Sequence, residues 1–123
     1  MAQVLEAPAS LSPIEVIAQA YMAAGDDIFE ARREFSRARQ AVIAANAELQ
    51  ERELVKLATL NAALADALRQ RGVADPAASL AAEAGGSAFK LGFERWIGDT
   101  KGTHMSTLIR ESLDALKAVA ADG

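Results

Sequence analysis

The stretch from Asp75 to Ile97, DPAASLAAEAGGSAFKLGFERWI, leaves little choice of conformation, because it carries helix signals at both ends and helical periodicity between them. Asp75 followed by Pro76 reads as an N-cap with proline at the first helical position, and Gly98 stands where that helix would stop. Ala77, Ala81, Ala84, Ala88 and Gly92 recur at helical spacing, a small-residue surface that invites another backbone to approach. Phe89, Phe93, Trp96 and Ile97 form a second surface holding three of the chain's six aromatic residues. The interior Gly85-Gly86 pair costs about 1 kcal/mol per glycine relative to alanine, so a compensating close contact, a kink or a cavity is expected beside it. It lies inside a helical pattern rather than between a strand and a helix, so it is not a phosphate loop.

The rest of the chain is punctuated in the same way. Residues 1 to 11 read as a lead-in or the remnant of a preceding helix, and residues 12 to 123 as one domain. Ser12, Pro13 and Glu15 make a capping box, with Leu11 positioned to pack on Val16 as a hydrophobic staple. Ile14, Ile17, Tyr21, Ala24 and Ile28 follow as an apolar stripe, and Gly25-Asp26-Asp27 predicts a break or kink near Ile28. A second pattern from about Glu30 to Ala45 exposes Arg32, Arg33, Glu34, Arg37 and Arg39 and turns Phe35, Ala38, Val42 and Ile43 inward. Asn46 caps a long central helix that stops at Gly72, with a leucine stripe from Leu49 to Leu68 whose later turns are expected to be buried. After the Asp75 helix and the loop Gly98 to Gly102, a last amphipathic helix runs from about Thr103 to Ala121. Met105, Leu108, Ile109, Ser112, Leu116, Val119 and Ala120 lie on its less polar side, with Arg110, Glu111, Asp114 and Lys117 facing water. Alanine supplies roughly a quarter of the residues and strand formers are sparse, so the expectation is an all-α antiparallel bundle of about five helices.

The chemistry that is absent narrows function. The chain has no cysteine and a single histidine, and it lacks HExxH, P-loop and GxSxG patterns, so it offers no apparatus for nucleophilic catalysis and no cofactor or metal motif; it is read as non-enzymatic and cofactor-free. His104 beside the final loop is expected to be exposed or to help cap the last helix. Asp26 with Asp27, and Glu51 with Glu53, point in different directions on a helix and do not converge on one atom. A net charge of −4 argues against unassisted nucleic-acid binding, and the Arg32 to Arg39 cluster, interrupted by Glu34, reads as a solvated face. No apolar run reaches the length of a membrane span and no signal-peptide pattern opens the chain, so no membrane contact and a cytoplasmic location are expected. Tyr21, Phe35, Phe89, Phe93 and Trp96, with Asn61 as a polar group on the central helix, are either ordinary core or the lining of a pocket for an apolar or amphipathic small molecule.

The stretches SPIEVIAQAYMAAGDDI, ARQAVIAANAELQERELVKLATLNAALADALRQRGVADPAASLAAEAG, AFKLGFERWI and LIRESLDALKAV follow in order between Ser12 and Val119. In these the chain resembles the C-terminal regulatory domain of TetR-family (AcrR-like) transcriptional repressors, of the actinobacterial type related to mycofactocin-system regulators. It departs from that pattern at Ala47, where the family's turn usually has proline, and at Gly86, Ser87 and Gly92, where bulkier apolar residues are expected.

The resemblance implies a domain that binds an effector within its helices and forms a homodimer through its last two long helices. The candidate effector site is Tyr21, Phe35, Arg39, Asn61, Phe89, Phe93 and Trp96, with Arg37 as an alternative to Arg39 beside a head group. The candidate dimer contact is Ala81, Ala84, Ala88, Gly92, Met105, Leu108, Ile109, Ser112, Leu116 and Val119. It further implies that operator DNA is contacted only by a helix-turn-helix domain ahead of residue 1. The competing expectation is a structural helical dimerisation module with a filled core, and a small helical enzyme ranks behind both.

Overall fold

The computed structural model of the chain describes residues 2–122. A short helix, α1 (Ala2–Glu6), precedes five longer ones: α2 (Pro13–Ala24), α3 (Arg33–Ala44), α4 (Ala47–Gln70), α5 (Ala77–Gly98) and α6 (Met105–Asp122). No strand occurs among the described residues, which matches the all-α bundle read from the sequence. The chain leaves α2 through a π-helical turn, Gly25–Phe29, and a 3-10 turn, Glu30–Arg32, where the break near Ile28 was expected.

Local chemistry accounts for the helix boundaries. Ser12 Oγ accepts the Glu15 N–H at 3.4 Å, and Asn46 Oδ1 accepts those of Glu48 and Leu49 at 3.0 and 3.3 Å. At the end of α4, Gly72 takes φ +99°, its N–H donates to Arg69 O, and the Val73 N–H donates to Leu68 O; this paired closure needs a residue without a Cβ penalty. Three boundaries shift, the first being the start of α3, at Arg33 rather than near Glu30. Asp75 caps α5 by accepting the Ser79 N–H at 3.1 Å, yet the helix begins at Ala77 rather than Pro76. The last helix begins at Met105, two residues after Thr103.

The core lies where α5 meets α2, α4 and α6, and it buries Ile17, Tyr21, Leu68, Trp96, Met105 and Ile109. The glycines of α5 set these approaches. A Cβ on Gly85 would stand 2.3 Å from Ile17 Cγ2 of α2, one on Gly86 2.3 Å from Asn61 Oδ1 of α4, and one on Gly92 2.8 Å from Ile109 Cγ1 of α6. The expected close contact beside Gly85-Gly86 is therefore intramolecular. Trp96 is wholly buried with its indole N–H unpartnered. Burying a ring of this class contributes about 4–6 kcal/mol at about 25 cal/mol per Å², more than the about 1–3 kcal/mol cost of one orphaned donor.

The lead-in packs as part of this unit. Val4 is fully buried, and Arg71 at the end of α4 donates to the carbonyls of Val4 (2.9 Å), Ala7 (2.6 Å) and Pro8 (3.1 Å). A guanidinium suits this task because its planar fork carries several donors at the negative end of a short helix.

Polar contacts tie α2 to α6. Arg110 donates twice to the Glu15 carboxylate, each bond 2.9 Å, and Lys117 donates to the same group. Glu15 thus serves this cluster rather than closing the capping box, and Arg110 and Lys117 are not simply water-facing. The hydrogen bonds from Arg110 and then Lys117 pull the Glu15 pKa from 4.5 down to about 2. A carboxylate whose folded pKa lies below its unfolded one contributes stability that is complete above the unfolded value and is lost as pH falls through the folded one. Between about pH 5 and pH 2 the wild-type chain is therefore expected to lose more thermal stability than Glu15→Gln. Melting curves across that range check this, and parallel curves for the two proteins would contradict it.

Candidate functional site

α4 is longer than the helices available to cover it. Its second half buries Leu64, Ala65, Ala67 and Leu68, whereas Leu54 and Val55 in its first half, and Leu60 just beyond it, remain exposed. α3, which faces that first half, buries only Ser36 and Ile43, and Phe35 is 58 % exposed. Phe35, Ala38 and Val42 were expected to turn inward; all three are exposed, because α3 crosses the open half of α4 instead of entering the core. The space left between α3, the first half of α4 and the second half of α5 is a cavity of about 660 Å³.

Its floor is aromatic and aliphatic. Phe29, Phe89 and Phe93 meet with ring centroids 6.1 to 6.3 Å apart, and Ile43, Leu57 and Leu60 complete the apolar wall. Behind Phe89, the Tyr21 ring stacks at 4.4 Å and 16°, and its hydroxyl donates to Asn61 Oδ1 at 3.2 Å. Burial pushes the Tyr21 hydroxyl up to about 12, so it stays a neutral donor at physiological pH. Behind Phe93 stands Trp96, with centroids 5.8 Å apart. The cavity thus rests on a second row of rings and one internal hydrogen bond, which fixes the orientation of the first row.

Arg32, Arg39, Lys56 and Lys90 line the same cavity, against Glu53 and Glu94. Glu53 is occupied by Arg39 and, at 3.6 Å, by Lys56. Arg32 lies 4.7 Å over the Phe35 ring, and neither it nor Lys90 has a carboxylate within ion-pair distance among the described residues. An apolar floor beneath uncompensated cations is suited to an amphipathic molecule with an anionic end.

Of the residues that periodicity and family resemblance nominate for this site, Phe35, Arg39, Phe89 and Phe93 line the cavity, whereas Tyr21, Asn61 and Trp96 stand behind its wall. Arg37 turns away, its Nε donating to Ile97 O at 2.9 Å. Phe29, Leu57 and Lys90 are not among the nominated residues, and Arg32, read from sequence as part of a solvated face, lines the cavity rim. The available signal was the leucine stripe of α4, which runs on past anything the charged α3 could cover.

The expected dimer residues need correction. Ala81, Ala88, Gly92, Met105, Leu108, Ile109 and Ser112 are buried within the single chain, because the small-residue side of α5 packs against α2 and α6. Ala84 and Leu116 are half-buried, and Val119 is 70 % exposed. The free side of this pair instead presents Leu80 and Leu91, 61 % and 54 % exposed, with Ala84 and Ser87 completing a helical spacing between them.

No group of three or more histidine or acidic side chains able to hold a metal exists among the described residues. None of their helices is long and apolar enough to cross a membrane. The structure is that of an all-helical bundle with a cavity at one side, and the match to a family of TetR-type C-terminal domains makes it a regulatory domain. The chain belongs to the MftR C-terminal domain family of TetR-type regulators, whose family model matches residues 11–121. A comparison with curated proteins found no match.

Proposed function

We propose that this domain binds an amphipathic small molecule in the cavity between α3, α4 and α5 and forms a homodimer through the outward sides of α5 and α6. The observation that carries the reading is the cavity itself: about 660 Å³, floored by Phe29, Phe89 and Phe93 and rimmed by Arg32 and Lys90. The space opens to solvent on one side, so a ligand can reach the phenylalanine floor, and covering that floor would remove apolar surface from water. The bound molecule places its apolar part on the phenylalanines and its anionic end among the rim cations. In a cytoplasmic regulator of this family, binding controls a DNA-reading helix-turn-helix domain joined ahead of this one, by favouring one of two arrangements for which the ligand has different affinity.

A thermal-shift titration with medium-chain fatty acids tests the ligand half, because a ligand at about 100 times its Kd raises stability by about 2.7 kcal/mol. No shift with any amphiphile would leave the structural-module reading standing. For the dimer, light scattering at micromolar concentration is expected to give twice the chain mass, and Leu91→Glu to give a monomer with an unchanged helical spectrum. A wild-type monomer, or a Leu91→Glu dimer, would contradict the assignment.

A further inference from the structure

α3 faces two ways. Phe35, Ser36 and Arg39 line the cavity, while on the adjoining face Arg33 and Arg37 reach the loop between α5 and α6. Arg37 Nε donates to Ile97 O at 2.9 Å and its Nη2 to Asp99 O; Arg33 Nη2 donates to Thr103 O, and its guanidinium carbon lies 5.0 Å from the Trp96 ring. One turn earlier, Glu30 Oε1 accepts the Met105 N–H at 2.7 Å and so caps the start of α6. The loop is a preformed receptor for these groups, since Asp99 already accepts the Lys101 and Thr103 N–H at 3.1 and 2.9 Å. Apolar attachment is scant, because Ile43 is the one large side chain that α3 buries.

We propose that the segment from Glu30 to Ala44 is a hinged lid forming one wall of the solvent-open cavity, held in place by the grip of Glu30, Arg33 and Arg37 on the α5–α6 loop. Its hinges are the π-helical turn Gly25–Phe29 on one side and the Ala45-Asn46 turn on the other. Few buried apolar contacts and a polar attachment are what a cooperative unit of low local stability requires. What the lid admits rests on the function proposed above; the clamp itself does not. Because the gripped loop joins α5 to α6, opening the lid frees the corner of the helix pair assigned to dimer contact, which couples cavity access to that pair.

Hydrogen exchange without ligand tests the clamp directly. In Arg33→Met with Arg37→Met, amides from Ser36 to Ile43 are expected to exchange at least tenfold faster, while those of Ala81 to Ala88 and Ile109 to Leu113 keep their rates. Unchanged exchange in α3, or loosening spread over α5 and α6, would overturn the proposal. The opposite manipulation covers the case in which the double variant folds poorly. The chain has no cysteine, so Glu34→Cys with Thr100→Cys, two residues flanking this contact, can be bridged selectively by a short bis-maleimide. Uptake of the anionic dye 1-anilinonaphthalene-8-sulfonate is expected to be at least tenfold slower in the bridged than in the unbridged protein. Equal uptake rates would overturn the lid. Failure of the dye to bind even the wild-type chain would count against the ligand site and leave the exchange result to decide the lid.

Discussion

Gly92→Ala is expected to destabilise the domain by about 2 kcal/mol and to lower its Tm by about 5–10 °C. Helix propensity alone argues the other way, favouring alanine by about 1 kcal/mol in a helix interior. Geometry decides the sign. The added Cβ would lie 2.8 Å from Cγ1 of Ile109 and 2.9 Å from its Cα, and the second of these is backbone that cannot rotate aside. α6 would have to back away from α5 along the most extensive helix contact in the fold. The same change at Gly98 supplies the control, because a Cβ there meets nothing within 4 Å and φ is not positive. Gly98→Ala is expected to leave Tm unchanged or slightly raised. Calorimetry on the two variants checks the pair, and a Gly92→Ala chain as stable as wild type would mean that α5 and α6 do not approach this closely.

The second large effect concerns the rim of the cavity. Arg32→Glu combined with Lys90→Glu is expected to weaken binding of decanoate at least tenfold while moving Tm by less than about 2 °C. Two opposite charges 4 Å apart interact by about 1 kcal/mol even in bulk water, and the double reversal changes four charge units around the ligand's anionic end. Salt screens part of this, so the loss should shrink as ionic strength rises. Folding is spared because neither side chain has a carboxylate partner among the described residues, unlike Arg39, which is engaged with Glu53. Decanol provides the contrast: it shares the tail and lacks the charge, so its affinity should change far less. Equal losses for the acid and the alcohol would assign the effect to distortion of the cavity rather than to charge.

Much of this fold was legible because its signals are local. Ser12, Asn46, Asp75 and Gly72 each act within one turn of their own position, and the hydrogen bonds expected of them form. The faces of α5 were legible too, but their neighbours were not. A stripe of small residues says that a backbone comes close without saying whose, and at Gly92 of that stripe it is the backbone at Ile109 of the same chain. The candidate site divided in the same way. Phe89 and Phe93 lie on a regular helix, where spacing predicts a shared face, whereas Phe29 lies in a π-helical turn in which the 3.6-residue period fails. Phe35 and Val42 were turned inward by periodicity alone. Their exposure follows from the length mismatch between α3, of 12 residues, and α4, of 24, which is a tertiary fact. That mismatch creates the cavity.

The space between α3, α4 and α5 is proposed to receive an amphipathic ligand. A titration of the isotope-labelled domain with decanoate, followed by amide and aromatic chemical shifts, tests it most directly. The expected result is saturable movement of Phe29, Ile43, Leu57, Phe89 and Phe93, with Val16 and Leu113 on the far side of the core unmoved. Saturable binding that shifts other residues and leaves these five in place, or no binding up to the solubility of the acid, would contradict it.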